Sequence, residues 1–259
     1  MLEIRNLSAG YPGKEVLTGL NLSVPEGSLT VVAGPNGCGK STALKAIMGI
    51  LPSSGIVSLQ GEDVRKLSSG ERARKVALLP QNRSVPELTV GKLVLHGRFP
   101  WLGYPRHYRE EDRRIARASL ERLGIGDLEG RELRELSGGE RQKVYLAMLL
   151  AQQTPLILMD EPTASLDIAN KLELMALARD LTRQGKTVLM VLHDLELAMR
   201  YGDYVAIMED GRICGSGTPE AVFHSGILEK VFRVRAEKLA TPDGPQYYFL
   251  PETQKREGH

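Results

Sequence analysis

Residues 34 to 42 read Gly34-Pro35-Asn36-Gly37-Cys38-Gly39-Lys40-Ser41-Thr42 and fit G-x-x-x-x-G-K-[ST], a pattern that few folds can accommodate. They follow Ser28-Leu29-Thr30-Val31-Val32-Ala33, an apolar run of strand length and composition. When a strand ends in such a loop, the glycines let the backbone curl with its N–H groups pointing inward. A helix starting near Lys40 then turns its positive dipole end to the same point. The product is a cradle for a polyphosphate that needs no matching cage of side chains. Within it Lys40 is placed to reach β and γ phosphates, the Ser41 hydroxyl to ligate magnesium, and Thr42 to touch an α phosphate. Gly185-Lys186-Thr187 shows what an accidental partial match looks like. There Asp180 stands where the earlier glycine belongs, and the tripeptide leads into a strand.

A chain of 259 residues can bury a substantial core in one or two domains. Its longest clean apolar runs, such as Val188 to Leu192, are too short to cross a bilayer, and Leu2-Glu3-Ile4-Arg5 opens it with strand-like alternation. The expectation is therefore a chain without signal peptide or membrane span. A net charge of +2 supplies no electrostatic footprint for nucleic acid, and no such partner is expected. Cys38 and Cys214 suggest neither a disulfide framework nor a metal site, which fits a cytosolic setting.

Strand-like runs at Leu29 to Ala33, Ile56 to Gln60, Val76 to Pro80, Leu156 to Asp160, Thr187 to Leu192 and Tyr204 to Met208 alternate with helical segments, predicting an α/β fold with a mostly parallel sheet. Before them, Leu2 to Leu7 and Val16 to Val24, joined by Gly10-Tyr11-Pro12-Gly13, predict an antiparallel pair. Between Pro86 and Gln153 the patterning is helical, over Val90 to His96, Glu110 to Leu123 and Gly138 to Gln153. A helix at Pro219 to His224 and a strand pair about Pro242-Asp243-Gly244-Pro245 complete the expected fold, with Glu252 to His259 loose. The organisation expected is one domain, 1–259. Its nucleotide-binding core spans 1–85 and 154–218 and includes the antiparallel β subdomain, 86–153 is an inserted α-helical subdomain, and 219–259 is a C-terminal extension.

Leu156-Ile157-Leu158-Met159-Asp160-Glu161 is an apolar strand ending in two carboxylates. At the strand exit both can address one phosphate site, Asp160 as a magnesium ligand and Glu161 to polarise an attacking water. The other reading, an acidic pair capping the next helix, loses its appeal beside the glycine loop.

With Leu136-Ser137-Gly138-Gly139-Glu140 added, the chain resembles the nucleotide-binding subunit of ATP-binding cassette (ABC) transporters over essentially its whole length. That string is the specific element, since other phosphate-loop ATPases and GTPases lack it. Other family motifs match in order: Gln81 after the Val76 to Pro80 strand, Ser165-Leu166-Asp167 after Glu161, and His193 after the Val188 to Leu192 strand. Tyr11 matches the aromatic that stacks on adenine. The resemblance implies ATP and Mg2+ as cofactors, with Glu161, His193, Gln81 and Lys40 in catalysis. It also implies γ-phosphate sensing by His193, contact with magnesium and the attacking water by Gln81, and cross-dimer communication by Asp167. It further implies a head-to-tail homodimer, in which one chain's glycine loop meets the other's Ser137, Gly138 and Gly139. A helix N-terminus at Ser137-Gly138-Gly139 suits that role as a second anion-binding end, and Ser137 could equally be a simple N-cap.

The same resemblance implies integral membrane permease subunits as partners, an extracytoplasmic substrate-binding protein indirectly, and a peripheral place on the cytoplasmic face of the cell membrane. Thr89 to Pro100 looks like the corresponding stretch in importers of ferric siderophores, haem and cobalamin, and the chain has no room for the large C-terminal regulatory domain of sugar-importer ATPases. The alternative is a soluble ABC ATPase without a permease, such as an iron-sulfur assembly ATPase. Two local readings stay open at this level. The aromatic-rich segment from Phe99 to Tyr108 is either a docking patch or a plug between helices. The run Arg109-Glu110-Glu111-Asp112-Arg113-Arg114 reads as a solvated helix face.

Overall fold

The computed structural model describes residues 1–164, 166–242 and 244–252. Strands β1 (Leu2–Tyr11) and β2 (Lys14–Val24) pair antiparallel about Pro12-Gly13. Strand β3 (Leu29–Ala33) then runs into the glycine loop and helix α1 (Lys40–Ile47). Strands β4 (Ser53–Leu59) and β5 (Glu62–Asp63), helix α2 (Ser69–Lys75) and strand β6 (Val76–Leu79) follow. Three helices come next, α3 (Val90–His96), α4 (Glu110–Arg122) and α5 (Gly138–Ala151), with 3-10 turns between them. The second half alternates strictly: β7 (Leu156–Asp160), α6 (Ile168–Arg183), β8 (Thr187–Leu192), α7 (Leu195–Tyr201) and β9 (Tyr204–Glu209). Strand β10 (Arg212–Gly217), helices α8 (Pro219–His224) and α9 (Ile227–Phe232), and the hairpin β11 (Val234–Thr241) and β12 (Gly244–Pro251) complete it. The expected turn at Asp243, Ser165, and the expected tail beyond Glu252 lie outside the described residues.

Six strands form the central sheet in the order β10-β9-β3-β8-β7-β6, parallel except for β10. Every residue of β3, β7 and β8 is buried, because helices cover one face and a second layer the other. That explains their unbroken apolar runs. Along β7, Ile157 and Met159 face the cluster that contains α5, α6 and α7, while Leu156 and Leu158 face α1 and the antiparallel sheet.

One expected strand belongs elsewhere. The run read as Ile56 to Gln60 in the parallel sheet is β4, which pairs antiparallel with β1 in a separate sheet ordered β2-β1-β4-β5. Its residues Ile56, Val57, Ser58 and Leu59 run exposed, buried, half-buried, buried, the pattern of a strand with one solvated face rather than two covered ones. Strand β10 and helices α2 and α9 were not anticipated, and α2 had a readable signal in the capping box of Ser68 with Glu71.

The acidic-basic run from Arg109 also needs correcting, since Asp112 is 6% exposed. Its Oδ2 accepts from Arg109 N, closing the first turn of α4, and its Oδ1 accepts from Arg98 Nε at 3.0 Å. Arg98, itself buried, also donates to Ala151 O and Gln153 Oε1. Removing one partner strands the other charge, so Asp112→Ala is expected to destabilise the fold by about 3 kcal/mol, measurable by urea unfolding. The neighbouring aromatics divide. Trp101 is anchored at one edge, its Nε1 donating to Gln152 O at 2.8 Å with the Arg98 and Arg74 guanidinium groups 5.4 and 5.9 Å from its ring centre, while it stays exposed. Tyr104 stands wholly in solvent at 99% exposed.

Candidate nucleotide-binding and catalytic site

Sheet register builds the site. Ala33 pairs with Leu192, Asp160 with Val191, and Leu79 with Met159, so four adjacent parallel strands end nearly level. The residues just past those ends are Gly34, His193, Glu161 and Gln81, delivered to the crevice where open α/β sheets bind ligands. A cleft of about 1120 Å³ is lined by all four, by Tyr11 and by every residue from Gly34 to Thr42.

The glycine loop is held closely. A Cβ on Gly34 would lie 2.1 Å from Met208 O and 2.8 Å from Cys38 Sγ, so no side chain fits there. Lys40 is 4% exposed, and its Nζ donates to Gly34 O at 2.7 Å and Pro35 O at 2.9 Å. Behind it, Ser41 Oγ donates to Asp160 Oδ1 at 2.9 Å. Tyr11 sits at the far end, 43% exposed, with Lys45 Nζ donating to its hydroxyl and lying 6.0 Å from the ring centre.

Burial, with some help from neighbouring Glu161, pushes the Asp160 carboxyl above its usual range, although Ser41, Lys45 and Lys40 pull the other way. Raised in the folded state, the group favours folding fully below its unfolded pKa and loses that contribution as pH rises through the folded value. At neutral pH the fold by itself carries this buried charge at a cost. Asp160→Asn is therefore expected to raise the Tm of nucleotide-free protein by about 2 °C near neutral pH, with the gain vanishing in acid, while magnesium-dependent nucleotide binding falls. Calorimetry at several pH values reads the first effect and nucleotide titration with and without magnesium the second.

Cys38 lies near a helix start, a position that favours a thiolate, but burial dominates and pushes the thiol up, with the charge of Lys40 opposing. Cys38 is 7% exposed whereas Cys214 is exposed. Iodoacetamide near neutral pH should thus modify Cys38 roughly tenfold more slowly than Cys214, and nucleotide should slow it further, as peptide mass spectrometry would read.

Glu161 is the most constrained residue of the cleft. Its φ of 48° lies in the left-handed region, a conformation that costs a residue with a side chain about 1 kcal/mol or more and gathers at functional positions. Its N–H donates to Val191 O at 3.1 Å. Its carboxylate then joins two neighbours, for Gln81 Nε2 donates to Oε2 and His193 Nε2 contacts Oε1. Three of the four strand-end loops are thereby tied through one side chain.

Two groups of expected site residues lie apart from this cleft. Ser137 caps α5, its Oγ accepting from Glu140 N while Glu140 Oε2 accepts from Ser137 N, so the N-cap reading holds. Neither Gly138 nor Gly139 takes a positive φ. A Cβ on Gly138 would meet nothing within 4 Å, and one on Gly139 only Asn170 Nδ2 at 3.7 Å. Their own chain gives no reason for two helix-weakening glycines at an exposed helix start. Asp167 caps α6, accepting from Asn170 N at 2.8 Å. None of these four residues lines the cleft. Conversely, the cleft gains Val16, Thr18, the Asp210-Gly211 turn and Phe232, which were not anticipated. The Asp-Gly pair was a readable hairpin signal; its place became clear only with the bonds from Thr18 N to Gly211 O and Gly211 N to Cys38 O. Phe232, at the end of a short helix, carried no signal.

The family profile described as "ABC transporter" matches residues 17–164. Over 244 residues the chain is 42% identical to the iron(3+)-hydroxamate import ATP-binding protein FhuC of Bacillus subtilis, covering 93% of this chain and 91% of that one. This chain belongs to the ABC transporter family. Among solved structures, a chain from a transporter described as of metal-chelate type, in an inward-facing conformation, superposes on this cassette with a TM-score of 0.83 at 27% identity, covering 96% of each. A dimeric bacterial ABC transporter cassette, MJ0796, superposes with a TM-score of 0.75 at 28% identity, covering 85% of this chain and 99% of that one. The central sheet, glycine loop and antiparallel layer described above are therefore those of an ABC cassette. No helix among the described residues is long and apolar enough to cross a membrane.

Proposed function

We propose that this chain is the ATP-hydrolysing subunit of an ABC importer, working as a homodimer on membrane permease subunits to drive uptake of a metal chelate such as a ferric siderophore, haem or cobalamin. The observation that carries the catalytic half is the Glu161 carboxylate, held at the mouth of the glycine loop by Gln81 and His193. A carboxylate so positioned can take a proton from water attacking a terminal phosphate. Lys40 would exchange its carbonyl partners for β and γ oxygens, the loop N–H groups from Gly34 to Thr42 would hold the polyphosphate, and Tyr11 would stack on the base.

The donors facing the phosphate end suit magnesium. Ser41 Oγ lines the cleft and donates to Asp160 Oδ1 at 2.9 Å, the buried Asp160 carboxyl keeps a raised pKa in spite of Lys45 and Lys40 nearby, and Mg2+ characteristically takes one or two such hard protein oxygens with the rest from phosphate and water. Asp160, Ser41 and Gln81 would hold it, and bound there it neutralises charge developing on the phosphates.

Gly138 and Gly139 support a shared site. An exposed helix start, stripped of side chains for which its own fold has no use, suits the phosphates bound by a second copy. Asp167 would lie near that junction. In this reading 86–153 carries the signature and answers to Gln81, 1–85 and 154–218 bind nucleotide, and 219–259 is an extension. Tyr104, with the exposed Phe99 and Trp101 of the same loop, would be free to meet a permease. A substrate-binding protein outside the cell would act through that permease. Similarity to import proteins over nine-tenths of both chains favours this reading over a soluble iron-sulfur assembly ATPase. Purification from a detergent-solubilised membrane tests it: an integral membrane protein should co-purify and stimulate ATP hydrolysis, and a cassette that hydrolyses ATP but recovers no membrane partner would overturn the transport half.

A further inference from the structure

Behind Glu161 lies a second cavity, of about 380 Å³, which shares Gln81 and Glu161 with the nucleotide cleft and opens between Arg83, Arg141, Gly138 and Tyr145. Arg83 is placed firmly. Its guanidinium lies 4.9 Å from the Tyr145 ring centre, and the Tyr145 hydroxyl donates to Ser84 O, so ring and loop fix each other. Yet among the described residues Arg83 Nη1 is buried without a hydrogen-bond partner, and burial pushes the guanidinium below its ordinary pKa. A buried cationic donor left unpaired is costly and calls for an acceptor. Arg141 adds a second guanidinium on the first turns of α5. The opposing charge is Glu161, whose two oxygens are already engaged by Gln81 and His193.

Two guanidinium groups against one committed carboxylate leave room for a small, oxygen-rich anion. We propose that this cavity is a second anion site that binds inorganic phosphate, with Arg83 as its principal donor and Arg141 as its partner. Resting on the hydrolysis reading above, its use is clear. The site begins at Gln81 and Glu161, where the terminal phosphate would be cleaved, and leads away from the glycine loop. Product phosphate can leave the reaction centre along it without passing the bound diphosphate.

Binding of inorganic phosphate to nucleotide-free protein, followed by 31P NMR line broadening, tests the site without requiring hydrolysis. The background variant is Lys40→Ala, which weakens phosphate binding in the glycine loop. Adding Arg83→Gln should weaken the remaining binding about tenfold, the size of effect expected from losing a charged hydrogen bond. Arg83→Lys should restore part of it, and Arg141→Gln, which removes no side-chain hydrogen bond among the described residues, should weaken it by a smaller factor without endangering the fold. Equal phosphate binding in the Lys40→Ala protein with and without either arginine change overturns the proposal. So does the absence of phosphate binding together with failure of the Arg83→Gln protein to dimerise with ATP, for that arginine would then serve the second copy. ATP hydrolysis is measured separately, so a chain that binds phosphate here without turning over ATP would refute the enzymatic reading and leave the site standing.

Discussion

Glu161→Gln should reduce ATP hydrolysis by about a thousandfold, the range that a positioned general base contributes, while ATP binding persists. The amide keeps the size of the carboxylate and one acceptor, so contact with either Gln81 or His193 can survive, and it cannot take a proton from water. Since nothing in the glycine loop changes, ATP still enters but is not consumed, and the variant should accumulate as an ATP-bound dimer. Size-exclusion chromatography with and without Mg-ATP, beside a steady-state assay, reads both effects. Turnover at the unmodified rate in the purified variant would remove Glu161 from the reaction.

An equally large effect is expected from mixing two inactive proteins. Lys40→Ala removes the loop cation and Ser137→Ala damages the start of α5, so each homodimer carries two impaired sites. In a heterodimer with shared sites, both lesions fall into one site and the other is intact, with Lys40 from the Ser137→Ala chain facing Ser137 from the Lys40→Ala chain. Activity or ATP-dependent dimerisation should then rise well above either parent. If each chain completed its own site, no mixture would contain an undamaged one. Neither quantity rising, with exchange of subunits proven and both variants folded, would end the shared-site reading. Dimerisation is measured as well as hydrolysis because coupling between the two sites can hold a single intact site silent.

The phosphate loop, its strand and its helix were legible because glycine spacing and an apolar run each answer a steric demand that can be named. The doubly covered strands β7 and β8 were read to the residue for the same reason. Strand β4 was assigned to the wrong sheet, since position between helices suggested a crossover while its half-solvated pattern spoke for an antiparallel partner. Asp112 read as solvent-facing because charge runs usually are. Its burial depends on Arg98, fourteen residues earlier, which local patterning cannot see. The elevated Cys38 thiol had the same origin: a helix start is a local feature, whereas desolvation depends on how the whole loop is packed. Within the site, Glu161 was legible as a residue; its backbone conformation and its ties to Gln81 and His193 depend on three separate strands ending level.

The placement of Lys40 within the glycine loop bears on how fast the protein can load. Its ammonium already rests against the carbonyls of Gly34 and Pro35, so the lysine acts as a placeholder for its own ligand. Arrival of a nucleotide swaps carbonyl oxygens for phosphate oxygens around a cation that is desolvated beforehand, rather than drawing a hydrated side chain in from solvent. Loading thus becomes a local exchange with little reorganisation, and measured affinity will understate the strength of the lysine–phosphate contact by whatever the carbonyl contacts were worth.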